Sequence, residues 1–189
     1  MPKLLIVIAS TRPGRVGLPV ANWFVQRAAE HHKFELEVAD LAKVALPLLD
    51  EPKHPRLREY TQDHTRAWSA TVEAADAIAI VTSEYNYGYP APLKNALDYL
   101  HHEWVYKPVG FVSYGGVAAG TRSVQQLKQV VGALRMVPTG ASVNIPFVAQ
   151  FLDENREIVA NDVMVQAAND MLDELVALEA ALRPLRGAG

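Results

Sequence analysis

Three short stretches of this 189-residue chain gather hydroxyl, guanidinium, aromatic and glycine residues. The first is Ser10, Thr11, Arg12, Pro13, Gly14, Arg15, Val16 and Gly17, placed between an apolar run and a helical pattern. Two hydroxyls, two guanidiniums and the free N–H groups of a helix start would surround a dianion such as a phosphate monoester with charge-assisted donors. Pro13-Gly14 reads as a turn, and Gly17 leaves room for close backbone approach. No Gly-Lys-Ser/Thr follows, so this is not a Walker A loop. Gly14 and Gly17 do not complete a Gly-x-Gly-x-x-Gly dinucleotide fingerprint either. The competing reading is a solvated turn whose arginines make surface ion pairs.

The second stretch runs Glu84, Tyr85, Asn86, Tyr87, Gly88, Tyr89. It offers aromatic faces and exposed amides but no nucleophile with a base beside it, which suits a flat conjugated ring. Asn86 and Gly88 are the residues expected to turn backbone N–H groups toward that ring, with Asn95 and Asp98 on the next helix bracing the loop. Tyrosines at a strand end also cap cores and line interfaces. The third stretch is Ser113, Tyr114, Gly115, Gly116 and on to Gly120, Thr121 and Arg122. Its glycine spacing imitates a P-loop, but Thr121 stands where the lysine is needed, so triphosphate binding is rejected. Gly115 and Gly116 instead permit close approach by a planar ligand. Arg122 reads either as a contact to a second anionic group or as a surface arginine. The pairs His31-His32 and His101-His102 lie near helix ends and point apart, which argues against a metal site.

These stretches need a scaffold that brings them together. Apolar, β-branched runs at Lys3–Ala9, Phe34–Asp40, Ala77–Ser83, Pro108–Ser113 and Thr139–Val143 alternate with helical patterns at Gly17–His31, Pro55–Glu73, Pro92–His101, Thr121–Leu134 and Glu157–Leu182. Five such β–α units predict an α/β fold, a three-layer α/β/α sandwich of flavodoxin-like order 2-1-3-4-5 around a five-stranded parallel sheet. In that order the loops after the first, third and fourth strands converge at the carboxyl edge, and these are the three stretches described above. The final helix carries an apolar stripe of Met164, Ala168, Met171, Leu172, Leu175, Leu178 and Leu182, with Glu174 and Glu179 away from it. Lys43–Leu57 is proline-rich and aperiodic, a long ordered loop.

Half the residues are apolar, and one domain spanning 1–189 is expected. A net charge of −3 without a basic block leaves no electrostatic footprint for nucleic acid or anionic membrane, so a small-molecule partner is expected. No cysteine is present, which removes thiolate chemistry. The amino-terminal apolar stretch is too short for a span and carries no cleavage signature, so a cytoplasmic location is expected.

Taken together, Ser10–Arg15, "LPLLDEP" after the second strand, "EYNYGYPAPLKNALDYL" after the third and "SYGGVAAGTR" after the fourth resemble the NAD(P)H-dependent FMN reductase family. This family of flavodoxin-like oxidoreductases includes quinone, chromate and azo reductases. Ser83, Arg15 and Gly88 depart from the family pattern, where proline, serine and serine respectively are common. The Ser83 difference is expected to alter turn rigidity alone.

The resemblance implies FMN, with its phosphate in Ser10, Thr11, Arg12, Arg15, Val16 and Gly17. Its ring would rest on Glu84, Tyr85, Asn86, Tyr87 and Gly88, with Ser113, Tyr114, Gly115 and Gly116 along the other edge. It also implies NAD(P)H as co-substrate, ping-pong turnover to a quinone or similar acceptor, and a homodimer or homotetramer to whose boundary Lys43–Leu57 contributes. A flavodoxin-type electron carrier is the alternative, disfavoured by the modest charge and the arginines.

Overall fold

The computed structural model describes residues 1–186. Its strands are β1 (Lys3–Ile8), β2 (Glu35–Asp40), β3 (Ala77–Ser83), β4 (Pro108–Tyr114), β5 (Val137–Pro138) and β6 (Val143–Ile145). Its helices are α1 (Gly17–His31), α2 (Leu41–Val44), α3 (Asp63–Glu73), α4 (Ala91–Asp98), α5 (Thr121–Ala133) and α6 (Asp162–Arg186). The strands are parallel in the order β2-β1-β3-β4-β5, with β6 also paired to β4. The flavodoxin-like order read from the hydrophobic runs is the one observed.

The central strands are largely apolar, and buried even at Thr82, Ser83 and Ser113, because both faces of the sheet are covered. On one face Leu4, Ile6, Ile8, Ala79, Val81 and Val112 pack against α1 and α6. On the other, Leu5, Val7, Ile78, Ile80, Val109 and Phe111 pack against α3, α4 and α5. Alternate residues of one strand therefore feed two separate cores, as the pleat requires. Trp68 and Trp104 belong to the second core, ring centroids 6.1 Å apart, and each indole N–H donates to a backbone carbonyl of α4, Ala96 and Leu97 respectively.

Three element boundaries differ from the sequence expectation. The fifth strand, expected over Thr139–Val143, is two short pieces on either side of that segment. Pro138 lacks a ladder donor, and beyond it Glu174 of α6 draws the N–H groups of Gly140 and Ala141 onto its carboxylate at 2.8 Å each. The helix expected over Pro55–Glu73 is a single 3₁₀ turn at Pro55–Leu57 followed by α3. Glu51 holds the intervening backbone open by accepting from Thr61 N and Gln62 N, at 2.8 and 2.9 Å. Burial opposes ionisation of Glu51, but these donors outweigh it and bring its pKa down to about 2. The last helix begins at Asp162 rather than Glu157, where Asn161 Oδ1 accepts from Met164 N at 2.9 Å, and it extends to Arg186.

Glu179, away from the apolar stripe of the last helix, is nonetheless buried at 1% exposure. Its carboxylate takes Arg183 Nε at 3.0 Å and Arg186 Nη2 at 2.5 Å. None of the described helices is long and apolar enough to cross a membrane.

Candidate functional site

At the carboxyl edge of the sheet the loops after β1, β3 and β4 converge, as the topology requires. They enclose a cavity of about 160 Å³ lined by Arg12, Arg15, Val16, Ser83, Glu84, Tyr85, Tyr114, Gly115 and Val148. A second cavity, of about 220 Å³, shares Glu84 and Gly115 with it and adds Asn86, Tyr87, Gly116 and Arg122 among others.

The first loop folds as a Pro-Gly turn closed by Arg15 N–H donating to Arg12 C=O at 3.1 Å, with Gly14 at φ +69°. The start of α1 has no side-chain cap, so its first N–H groups remain available to an anion. Arg12 is exposed and Thr11 half-buried. Arg15 turns toward β2, where its Nη2 meets Asp40 Oδ2 at 2.6 Å, while its Nε is buried without a partner. Asp40 also caps α2 by accepting from Ala42 N at 3.1 Å, so it is itself immobilised.

Beneath the loop Tyr114 reaches across from β4 and donates to Ser10 Oγ at 3.2 Å. Burial is the main reason that the Tyr114 pKa is raised, which keeps its proton in place for that bond. A Cβ on Gly17 would lie 2.2 Å from Ser10 Oγ and 2.5 Å from Tyr114 Oη, so glycine is required for α1 to start here. Ser113 is fully buried and donates to Asn144 Oδ1 at 2.9 Å. Ser113 thus spends its hydroxyl proton on the framework, whereas Ser10 accepts from Tyr114 and keeps its own O–H to donate.

The loop after β3 is a two-residue hairpin. Tyr85 N–H donates to Gly88 C=O at 2.8 Å and Gly88 N–H to Tyr85 C=O at 2.9 Å. Asn86 and Tyr87 sit at φ +50° and +71°, the pattern of a type I′ turn. The left-handed residues are therefore Asn86 and Tyr87, whereas Gly88 takes an ordinary φ, a correction to the expected pair. Tyr85 and Tyr87 are exposed. Arg122 is bound to this hairpin: its Nε contacts Glu84 Oε1 at 2.5 Å and its guanidinium lies 3.8 Å from the centroid of the Tyr87 ring. Asn95 braces the proline-rich loop instead, donating to Pro47 C=O at 2.6 Å and accepting from Leu49 N at 3.0 Å. Asp98 pairs with Lys94 at 2.6 Å.

The loop after β4 turns at Gly115 and Gly116, whose carbonyls accept from Val148 N and Phe147 N at 3.1 Å each. Gly120, at φ +78°, could carry no Cβ without approaching Tyr114 O to 3.0 Å. The two histidine pairs lie elsewhere. His31 contacts Asp173 at 2.9 Å, and His102 contacts the Arg56 carbonyl at 2.9 Å.

Three residues that line the 160 Å³ cavity each carry a buried polar atom without a partner: Arg15 Nε, Ser83 Oγ and Glu84 Oε2. Buried polar atoms in folded proteins are nearly all paired, so three such atoms on residues around one cavity, out of seven among the described residues, suit a place for a polar ligand. Asp40 and Asn144 were not singled out from sequence, since nothing local marks an aspartate or asparagine as the partner of a side chain tens of residues away.

Comparison with known proteins bears directly on this crevice. Residues 2–150 match the model of the NADPH-dependent FMN reductase family. The chain belongs to this family. It is 42% identical over 149 residues to an NAD(P)H-dependent FMN reductase of Schizosaccharomyces pombe, covering 77% of this chain and 74% of that protein. Against an NAD(P)H-dependent FMN reductase of Saccharomyces cerevisiae the identity is 40% over 157 residues, covering 76% and 81%. Among solved structures, the flavoenzyme NAD(P)H:(acceptor) oxidoreductase FerB of Paracoccus denitrificans superposes with a TM-score of 0.73 at 18% identity, covering 96% of this chain and 99% of that one. The matched residues of this FMN reductase family member contain all three loops of the crevice.

Proposed function

We propose that the crevice binds FMN and that the chain uses NAD(P)H to reduce a small acceptor, a quinone or free flavin. The observation that carries this reading is the set of unpartnered buried polar atoms on residues lining one cavity, because their chemistry matches the cofactor that the family employs. Arg15 Nε is a donor suited to a phosphate oxygen, Glu84 Oε2 an acceptor, and Ser83 Oγ can act as either. The uncapped start of α1 and the exposed guanidinium of Arg12 add further donors for the phosphate.

In this reading Arg12, Arg15, Thr11 and the N–H groups of Val16 and Gly17 hold the phosphate, while Ser10 and Tyr114 hold the loop. Asp40 aims Arg15. Tyr85, Asn86, Tyr87 and the Gly115-Gly116 turn form the shelf for the ring, and the left-handed Asn86 and Tyr87 free their backbone N–H groups from the hairpin ladder to face it. When bound, FMN supplies the redox chemistry, taking a hydride from NAD(P)H and passing electrons to the acceptor. The protein then needs no nucleophile or acid–base dyad, in keeping with residues that bind and orient. The exposed tyrosines leave one side of the shelf open to NAD(P)H and to the acceptor in turn, the arrangement that ping-pong turnover needs.

A reaction that consumes NAD(P)H requires a compartment that supplies it, and the cytoplasm is one. A dimer or tetramer would set the exposed Leu48 and Leu49, on a loop pinned by Asn95, against a second copy. The test is anaerobic titration of FMN-saturated protein with NADH and NADPH, followed by initial rates with a quinone at several fixed NAD(P)H concentrations. Bleaching of the flavin and parallel double-reciprocal lines are expected. Inertness toward both nicotinamides would leave an electron carrier as the surviving reading.

A further inference from the structure

A further cavity, of about 440 Å³, adjoins the first loop. Gly14 and Arg15 form part of its wall, and Arg15 also lines the 160 Å³ cavity, so the two spaces share the first loop as a boundary. Its volume falls in the range of small-molecule sites, roughly 300–1,000 Å³. Other lining residues come from α1, with Leu18, Asn22 and Trp23, and from the turn before α6, with Asn155, Arg156 and Glu157.

Asp153 builds that turn. Its Oδ1 accepts from Asn155 N at 2.9 Å and from Glu157 N at 2.8 Å, and its own N–H donates to Glu157 C=O at 3.0 Å. Arg156 takes the left-handed conformation at φ +63°, and its Nη2 donates to Gly14 C=O at 3.2 Å. That bond uses one of the five N–H donors of a guanidinium, and Arg156 makes no ion pair among the described residues. Trp23 is only 8% exposed. The indole N–H groups of Trp68 and Trp104 are spent on carbonyls, whereas that of Trp23 meets no acceptor among the described residues.

We propose that this cavity receives the adenosine phosphate end of NAD(P)H, with Arg156 binding one of its phosphates. The proposal rests on the FMN reading above, in which the nicotinamide meets the open side of the ring shelf and the other half of the dinucleotide still needs a seat. The wall suits a nucleotide better than a bare anion. Arg156 is a donor for a phosphate oxygen, while Glu157 is an acceptor that would repel a free phosphate but is satisfied by ribose hydroxyls or the adenine amino group. Leu18 and Trp23 offer apolar surface to the base, and the carboxamides of Asn22 and Asn155 match its mixed donors and acceptors. Two phosphates could meet Arg156: the 2′-phosphate that NADPH alone carries, and the diphosphate common to both nicotinamide nucleotides.

The test titrates ADP and adenosine 2′,5′-bisphosphate into FMN-saturated protein by isothermal calorimetry, for the wild-type chain, Arg156→Asn and Asn22→Trp. Asparagine tolerates the left-handed backbone, so Arg156→Asn removes the guanidinium and keeps the turn. Loss of a guanidinium–phosphate contact is expected to weaken binding roughly 10- to 100-fold. A loss confined to the bisphosphate assigns Arg156 to the 2′-phosphate, and the KM for NADPH rises while that for NADH does not. A loss that includes ADP assigns it to the diphosphate, and both KM values rise. No loss with either ligand overturns the proposal.

Because Arg156 also holds Gly14, Asn22→Trp gives a second reading that leaves this bond in place. Its indole fills the cavity from an exposed position on α1 and should weaken both ligands by about tenfold or more. Unchanged affinity there would likewise overturn the proposal. Failure of the wild-type chain to take up FMN, read from its absorbance, would overturn the FMN reading and this proposal with it. FMN uptake without binding of either nucleotide would overturn this proposal alone.

Discussion

The two ends of the same parallel strands are built on opposite principles. At the amino edge, beneath β3 and β4, the buried charges of Glu103, Lys107 and Glu179 are engaged, although His101 Nδ1 beside them is buried without a partner. Glu103, 2% exposed, accepts from Ser69 Oγ at 2.6 Å, Tyr60 Oη at 2.9 Å and its own turn at His101 N, 3.3 Å. Lys107, 5% exposed, donates to the Val72 and Glu73 carbonyls that end α3. Glu179 and Arg186 tie the end of α6 to Asp76. At the carboxyl edge Arg15, Ser83 and Glu84 each keep a buried polar atom without a partner. Saturated polar groups hold a fold together, while unsaturated ones cost stability until a ligand arrives. The amino edge is thus a fastening and the carboxyl edge a receptor.

The sharpest break of that contrast is Glu103→Ala. It strands two hydroxyls in the interior and removes a carboxylate that faces Arg58, so the chain should lose about 3 kcal/mol of unfolding free energy, read by urea denaturation, with little change in FMN affinity per folded molecule. Arg12→Ala, at the other edge, should do the reverse. The cost to FMN affinity should be about 2 kcal/mol, from one lost charge-assisted contact, with riboflavin affinity and the unfolding midpoint of the free protein nearly unchanged.

Two finer measurements follow from pH and from a single hydroxyl. Burial raises the pKa values of Glu103 and Glu179, but hydrogen bonds from Ser69 in one case and from Arg183 and Arg186 in the other outweigh it and leave both below the ordinary glutamate value of 4.5. Depressed carboxylates contribute stability that is complete above the unfolded pKa and is lost as pH falls through the folded one. The free protein should therefore destabilise below about pH 5, and more gently in Glu179→Gln.

Lys107 has the opposite arrangement, since burial and then Arg186 bring its pKa down to about 8. Between that value and the ordinary 10.5 the unfolded chain binds more protons, so this residue makes stability rise with pH across the window, a rise that Lys107→Met should remove. The smallest effect belongs to Ser83→Ala. Deleting an orphaned hydroxyl should leave the free protein as stable or slightly more so, while weakening FMN binding by about 1 kcal/mol. A stability loss there without a binding loss would blur the distinction between the two edges.

The chemistry of the site was readable to different depths. Arg12 and the Tyr85–Gly88 hairpin were apparent because residue type and local order announce them: a Pro-Gly turn before a helix, and tyrosines around an asparagine at a strand end. The partners of Arg15 and Arg122 were not. Asp40 lies 25 residues from Arg15 and Glu84 lies 38 from Arg122, and many carboxylates in the chain would have served equally well on sequence grounds. The fifth strand was found as a hydrophobic run but misplaced, since Glu174 on a distant helix competes for the backbone donors of its middle. Glu179 was placed off the apolar stripe, and a helical period cannot reveal two arginines folding back over it.

The amino-acid sequence alone determined the α/β class, the strand order and the three loops that meet at one edge. Such features follow from periodicity, apolar runs and turn residues, all of which act within a few positions along the chain. Only the tertiary structure decided which hydroxyls are spent on the framework, which carboxylates neutralise which guanidiniums and which polar atoms are left over. Those outcomes depend on contacts between segments far apart in the chain, such as Tyr114 on Ser10, 104 residues away, and His31 on Asp173, 142 residues away. A hydrogen bond selects its partner by distance and angle in space, and neither quantity exists until the sheet has assembled.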